Sequence, residues 1–304
     1  MSKPIILGTR GSPLALAQAR QVASRIEVVH EWAAGAVEIR VIKTSGDRIQ
    51  DRPLTDIGGK ALWTKELDAA LAAGETDLSV HSMKDVESER PDIFCLAAML
   101  RRADFRDRLI GAESIAALKQ GAIVGTSSPR RAAQMLRLRP DIRIVPIRGN
   151  VETRLNKLAN GECDAILLAA AGLDRLHHEQ VGVALDLLPA PAQGAIGIEV
   201  READQSLRRI VSAISHVATF RAVAIERAFT RALGGTCHSP VAALASVRHD
   251  GLIDFRAELY SENGAECIAD SARFGELDLD AAGAFARSML ARAPDSIRTL
   301  FNPS

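Results

Sequence analysis

The residue in this chain best placed to begin chemistry is a thiol. The stretch Leu233-Gly234-Gly235-Thr236-Cys237-His238-Ser239-Pro240 sets a cysteine just beyond a glycine pair, which lets the backbone turn, and just ahead of a proline, which stops a helix from continuing. An amphipathic run from about Thr219 to Leu233 reads as a helix that delivers this loop rigidly, with Cys237 at its tip. Most free cysteines are small buried hydrophobes, and the loop alone leaves both roles open. Its weight depends on what the rest of the chain can aim at the sulfur.

A set of basic residues recurs at one kind of place. Arg10, Lys84, Arg130, Arg131, Arg148, Arg154 and Arg175 fall at strand ends, helix starts or the turns between, the positions that face a cleft in an open α/β sheet. Guanidinium groups grip carboxylates through two parallel N–H bonds, a geometry that lysine lacks. The group therefore suits a ligand with many carboxylates, or a phosphate. Any one of these cations alone is equally well explained by a surface ion pair. Asp85 is the one carboxylate that follows a strand within this set. As an anion it would stabilise a developing cation, and as an acid it would hand a proton to a leaving amine. Position alone equally allows an aspartate that caps the next turn. Lys84, flanked by acid and arginine, reads as a charge partner rather than a Schiff-base lysine.

These residues need a scaffold, and the sequence supplies the same one twice. Ile5 to Leu7 is a short strand, and Gly8-Thr9-Arg10-Gly11-Ser12-Pro13 turns it into a helix reaching about Val29. Ser12 suits the N-cap and Pro13 the first helical position, which puts Arg10 beside a helix N-terminus that attracts anions. Val37 to Lys43 alternates like a strand, Thr44 to Lys60 is a candidate mobile loop, and a helix runs from about Leu62 to Ala73. Leu78 to Val80 then forms a strand that empties into His81-Ser82-Met83-Lys84-Asp85. Later, Ile123-Val124 leads into Gly125-Thr126-Ser127-Ser128-Pro129-Arg130-Arg131, again a strand meeting a helix capped by serine and opened by proline. Gly161-Glu162-Cys163-Asp164, ahead of the strand Ala165 to Leu168, echoes Gly74-Glu75-Thr76-Asp77. Ile144 to Ile147 reads as a strand, with Arg148-Gly149-Asn150 as its turn and Val151 to Arg154 as the next helical turn. The fold class is α/β: two related lobes, with ligand expected in the cleft between them, plus a smaller α+β C-terminal domain. The divisions read as 1–99 with 200–217, 100–199, and 218–304. Ala195 to Val200 is expected to cross back as a strand of the first lobe. The last unit carries strands near Val241 to Val247 and Phe255 to Tyr260, and a helix from about Ala281 to Arg292. Its acid-rich stretch between Glu262 and Asp280 reads as a solvated face.

Composition narrows the classes. The 304 residues, 47% of them hydrophobic, can bury an ordinary core in two or three domains. Aromatics are scarce at 4% and the formal charge is zero, which argues against nucleic acid as a partner. Only seven of the 38 basic residues are lysines, a bias that GC-rich codons explain in part. Cys95, Cys163, Cys237 and Cys267 have no metal-ligand spacing, so no metal is expected. No apolar run approaches a membrane span and the start lacks a signal-peptide core. A cytoplasmic, monomeric protein with reduced thiols is expected.

Taken together, Gly8-Thr9-Arg10-Gly11-Ser12-Pro13-Leu14-Ala15-Leu16, Gly58-Gly59-Lys60, His81-Ser82-Met83-Lys84-Asp85, Gly125 to Arg131, Arg148-Gly149-Asn150-Val151, Thr153-Arg154-Leu155, Ala171-Gly172-Leu173, Gln193-Gly194-Ala195 and the Cys237 loop resemble the porphobilinogen deaminase family. The agreement runs in order from about residue 5 to residue 240. The resemblance implies three domains, the first two lobes resembling a two-lobed periplasmic-binding-protein-like fold and the third carrying the cofactor thiol. It implies that Cys237 carries a covalent dipyrromethane through a thioether, and that the enzyme builds this primer from its own substrate. Four porphobilinogen units would be added in turn, each losing ammonia, before hydroxymethylbilane is released by hydrolysis. It implies that Asp85 is catalytic, assisting ammonia loss and stabilising a methylene-pyrrole cation. It further implies that Arg10, Lys84, Arg130, Arg131, Arg148, Arg154 and Arg175 hold acetate and propionate groups, with Ser12, Gln18, Ser82, Thr126 and Ser128 as polar support. The chain departs from the family's usual pattern at Trp63 (phenylalanine is common), Pro129 (leucine), Ala192 (glycine) and Thr236 (glycine). A β-branched Thr236 would be strained if its backbone needs a positive φ. Two other classes stay in view. The duplicated lobes alone would permit a non-catalytic anion-binding protein, and a cysteine hydrolase would need a base other than His238, which directly follows Cys237.

Overall fold

The computed structural model of the chain describes residues 4–43, 64–235 and 239–301. In chain order its strands are β1 (Ile5–Thr9), β2 (Val37–Val41), β3 (Leu78–Ser82), β4 (Phe94–Met99), β5 (Asp107–Ile110), β6 (Ile123–Gly125), β7 (Arg143–Val145), β8 (Ala165–Ala169), β9 (Val183–Leu185), β10 (Ile196–Arg201), β11 (Val241–Val247), β12 (Ile253–Tyr260) and β13 (Cys267–Phe274). Two compact units divide the chain, Met1–Ala103 with Ala195–Phe220, and Asp104–Gly194 with Arg221–Ser304.

The first unit is built on the sheet β2-β1-β3-β10-β4. β1 runs parallel to β2 and β3, whereas β10 is antiparallel to both β3 and β4. The helix Pro13–Val29 starts where expected: Ser12 accepts from the Ala15 N–H at 3.2 Å and Pro13 opens the first turn. Ala19, Val22, Ala23 and Ile26 recur at helical spacing and are all buried. They pack with Leu7, Leu78, Val80 and Ile198 of the sheet in one apolar cluster. Truncating a side chain such as Ile26 to alanine would cost about 2–5 kcal/mol.

The second unit repeats this arrangement in its larger sheet, β7-β6-β8-β5-β9. β6 is parallel to β7 and β8, and β5 is antiparallel to β8 and β9. The repeated aspartates show why the sequence echo exists. Asp77 Oδ2 accepts from the Ile6 N–H at 2.8 Å, and Asp164 Oδ2 accepts from the Ile123 N–H at 2.7 Å. Each carboxylate thus fastens the start of a neighbouring strand, β1 or β6, to the turn ahead of β3 or β8, where Gly74 (φ 71) and Gly161 (φ 76) adopt the left-handed conformation. Ser128 caps the helix Pro129–Leu138 as Ser12 caps the first.

The smaller sheet of this unit, β11-β12-β13, is antiparallel throughout. Its apolar face meets the helices Val217–Leu233 and Leu279–Arg292 around Phe229, Phe255, Phe274 and Phe285. The acids between Glu262 and Asp280 are exposed or half-buried, as the solvated-face reading expected, but the same stretch also contains β13, which the sequence pattern did not disclose. It is an edge strand in which Ala269, Ser271 and Arg273 point outward, so small and charged residues hide its period. β4, β5, β9 and the helix Gln205–Ser212 are further elements that the sequence pattern did not disclose. The 44–60 loop, Trp63 and Thr236-Cys237-His238 lie outside the described residues.

Candidate active site

In the first unit, β3 ends where its neighbour β10 begins, and the chain tightens at once into a 3-10 turn, Met83–Asp85. The Met83 N–H donates to the Ala195 carbonyl at 3.1 Å. Met83 itself is buried over Gly197, where any Cβ would collide with its sulfur. This seat presents the half-buried Asp85 to a pocket of about 60 Å³ lined by Arg10, Ser12, Gln18, His81 and Ser82. Five residues singled out from the sequence (Arg10, Ser12, Gln18, Ser82 and Asp85) therefore converge on one cavity. The Gln18 amide and the Ser82 hydroxyl exchange hydrogen bonds across it at 2.7 and 3.0 Å. The volume accommodates a few water molecules or one carboxylate-bearing side arm, with Arg10 as cation. Lys84, half-buried, lies in the same turn.

Behind the pocket stands a buried array of charge. His81 Nε2 lies 3.0 Å from Glu199 Oε2. Arg90 grips both oxygens of Glu199, Nε to Oε1 at 2.7 Å and Nη2 to Oε2 at 2.9 Å, and also donates to Asp68 at 2.6 Å. Burial alone raises the pKa of Glu199, but His81 and Arg90 outweigh it and bring it down to about 2. Burial is the larger influence on Asp68 and raises its pKa despite Arg90.

In the second unit, Arg130 and Arg131 are not cations at a surface. Both are buried, and Asp107, with no exposure at all, lies between them. Arg131 donates from Nε and Nη2 to Asp107 Oδ1 and from Nη1 to the Leu167 carbonyl. Arg130 Nη1 approaches Asp107 Oδ2 to 2.8 Å and donates to Gln134 and the Leu188 carbonyl. Gln193 Nε2 adds a bond of 2.9 Å to Asp107 Oδ1. Burial acts to raise the Asp107 pKa, but the two guanidiniums prevail and hold it well below the usual carboxylate range. Asp85 follows a strand as expected, whereas Asp107, which begins β5, is a further carboxylate among these cations that the sequence reading did not single out. Thr126 is buried and its hydroxyl accepts from the Ser128 N–H, while Ser128 Oγ accepts from the Arg131 N–H.

The remaining cations of this unit keep their expected places at turns. Arg148 precedes Gly149, whose φ of 107 excludes other residues, and Asn150 caps the helix Val151–Ala159. Arg154, in that helix's first turn, donates to the Gly149 carbonyl at 2.9 Å. Arg175 donates to the Gly194 carbonyl at 2.8 Å, and burial, only partly opposed by Asp174, pushes its guanidinium down to about 10. Arg130 Nε is buried without a hydrogen-bond partner. A buried cation and an orphaned N–H are both relieved by an incoming anion, so these residues fit a polycarboxylate. The helix toward Cys237 ends at Gly234, whose φ of 65 lets it close the helix, while the Gly235 N–H returns to the Thr230 carbonyl. Cys237 itself is outside the described residues.

Sequence reasoning gave no role to Asp107, Glu199, Arg90 or Glu226. Glu226 is fully buried and accepts from the Ala192 and Ala245 N–H groups. A shared signal was available: Asp107, Glu199 and Glu226 are each the single acid of an element whose other buried positions are mainly apolar, and a buried carboxylate demands a partner.

Comparison with known proteins agrees with this geometry. Residues 5–209 match the family model described as porphobilinogen deaminase, dipyromethane cofactor binding domain, and residues 220–284 match the C-terminal domain of porphobilinogen deaminase. A porphobilinogen deaminase of Sphingopyxis alaskensis is 53% identical, covering 98% of this chain and 96% of that one. A chloroplastic porphobilinogen deaminase of Oryza sativa is 46% identical over 91% and 79%, and that of Nitrobacter winogradskyi 45% identical over 97% and 95%. Among solved structures, a VFT2 domain of Bordetella pertussis BvgS has a TM-score of 0.41 at 17% identity, covering 74% of this chain and 91% of that one. It is too distant to add to the sheet topology already described.

Proposed function

The chain belongs to the porphobilinogen deaminase family, and we propose that it is a transferase that deaminates porphobilinogen and links four units in turn onto a cysteine-bound dipyrromethane, releasing hydroxymethylbilane for haem biosynthesis. The observation that carries this reading is the convergence of Asp85, Arg10, Ser82 and Gln18 on one pocket at the end of β3. When bound, the dipyrromethane supplies the nucleophilic pyrrole carbon to which each new unit is joined.

The roles of the residues follow from their chemistry. Cys237 is the attachment point. Arg10 pairs with a carboxylate arm at the pocket, and Asp85 stands beside the departing ammonia and offsets the positive charge of the methylene-pyrrole cation. Lys84, Arg148, Arg154 and Arg175, with the Arg130–Arg131 pair, hold acetate and propionate groups, whose number grows with every addition. Ser12, Gln18, Ser82, Thr126 and Ser128 position these groups through hydrogen bonds. A tethered primer makes each addition a one-substrate problem. The three sheets favour three parts like the expected 1–99 with 200–217, 100–199, and 218–304, except that β10 (Ile196–Arg201) belongs wholly to the first sheet, so the return to the first lobe falls before residue 196 rather than at 200. We assign the protein to the cytoplasm as a monomer without nucleic-acid or membrane partners. Its cysteines Cys95, Cys163 and Cys267 are unpaired, as a reducing compartment requires.

Intact mass under denaturing conditions tests the proposal. The purified active protein should exceed its chain mass by two linked pyrroles, and Cys237→Ser should show the bare chain and no turnover. A bare wild-type chain with full activity would overturn it.

A further inference from the structure

Asp85 lies in the segment 81–90, and the two ends of that segment meet at one carboxylate. His81 reaches Glu199 Oε2 from four residues before Asp85, and Arg90 grips both Glu199 oxygens from five residues after it. Glu199 is 1% exposed and sits on β10, the strand that runs antiparallel beside β3. Alternate residues of that strand, starting from the position just before it, serve the same segment. The Ala195 carbonyl receives the Met83 N–H, Gly197 leaves room for the Met83 side chain, and Glu199 holds the two ends. Arg90 is fixed in turn by Asp68 and Glu87, so the clamp is braced from the helix Lys65–Ala72 as well.

We propose that Glu199 is a positioning residue for the reaction: by fastening His81 and Arg90 together it closes the segment 81–90 into a fixed loop and sets where the Asp85 carboxyl stands in its pocket. Charge balance for Arg90 alone would not need His81, which comes from the other side of Asp85 and itself lines the pocket. Nor would it need both partners drawn onto the same carboxylate. A displacement of about 1 Å at a reacting group lowers turnover by up to about a hundredfold without abolishing binding, and that is the kind of error such a clamp prevents.

The inference rests on Asp85 being the reacting acid, and the experiment separates the two claims. Steady-state kinetics are measured on the primer-loaded enzyme for Glu199→Gln, Glu199→Asp, Asp85→Asn and the Glu199→Gln/Asp85→Asn double variant. Val22→Ala, a cavity in the same unit, is the control for lost stability. Glu199→Gln is expected to lower kcat by about tenfold to a hundredfold with KM changed less than about threefold. Glu199→Asp, which keeps the charge but draws it back by a methylene, should be no better, and the loss should shrink or vanish in the Asp85→Asn background. The clamp is overturned if Glu199→Gln loses no more turnover than Val22→Ala, if aspartate restores kcat, or if the fold-loss is equal in both backgrounds. Should Glu199→Gln not fold, His81→Gln and Arg90→Lys each release one end and are judged by the same criteria. An Asp85→Asn enzyme with wild-type turnover would defeat the assignment of Asp85 and the clamp together.

Discussion

Arg131 closes its Nε and Nη2 onto a single oxygen of Asp107, at 3.0 and 2.6 Å, while the other oxygen is left to Arg130. One buried carboxylate thus compensates two buried guanidiniums, and the cluster retains a net positive charge. That surplus is what the proposed carboxylate-holding role would draw on, whereas Asp107 makes the pair tolerable in the protein interior.

Asp107→Asn keeps the shape of the side chain and removes its charge. Two guanidiniums are then left in a site that excludes water, and stability should fall by about 3–5 kcal/mol. Urea unfolding at neutral pH measures this. A loss below about 1 kcal/mol would mean that the arginines are solvated and the cluster is not buried as described.

Acid should act on the first unit through Glu199. Its pKa in the folded protein is about 2, against an ordinary value of 4.5, so its contribution is present above pH 4.5 and is lost as pH falls through about 2. The shift corresponds to about 3 kcal/mol. The stability gap between wild type and Glu199→Gln, followed by urea unfolding at a series of pH values, should be full at pH 6 and narrow steadily below pH 4.5. A gap that does not depend on pH across that window would remove the proposed charge pairing.

Much of the scaffold was legible because it depends on local chemistry. Ser12-Pro13 and Ser128-Pro129 mark helix starts through capping and a missing N–H, and both were found where expected. The repeated Asp77 and Asp164 marked equivalent turns for the same reason, since each bonds back to a strand start in its own lobe. Partners far apart in sequence were not legible. Nothing local in β5 links Asp107 to Arg131, and nothing in β10 links Glu199 to Arg90. Each acid reveals itself only as the single carboxylate of its strand, a sign that a partner must exist if it is buried but not which one. β13 was missed because an edge strand with small and charged outward residues lacks the hydrophobic alternation by which strands are recognised.

Ala192 gives a prediction of the opposite sign to the others. Its φ is 61, the left-handed region that a Cβ disfavours, and the resembling family commonly has glycine there. The conformation is held because the Ala192 N–H donates to buried Glu226. Ala192→Gly removes the strain at the expense of a more flexible unfolded chain, for a net gain of about 0.5–1 kcal/mol. The urea midpoint should rise with an unchanged slope. A lower midpoint would show that the alanine methyl packs well enough to outweigh its backbone strain.

Gly264 tests whether the small sheet holds the arginine-bearing helix in place. It lies in the β12–β13 turn with φ of 68, and a Cβ there would overlap the Ala133 carbonyl and come within 3.0 Å of the Arg137 nitrogen. Both are backbone atoms of Pro129–Leu138, the helix that carries Arg130 and Arg131, so neither can swing aside as a side chain would. Gly264→Ala should therefore cost about 2 kcal/mol or more, from the left-handed backbone and the collision together. Because relief requires the helix to shift, the guanidiniums move with it, and KM for porphobilinogen should rise several-fold in the variant. Stability loss with an unchanged KM would mean that the hairpin yields instead of the helix, and that the turn packs against the helix carrying Arg130 and Arg131 without fixing its position.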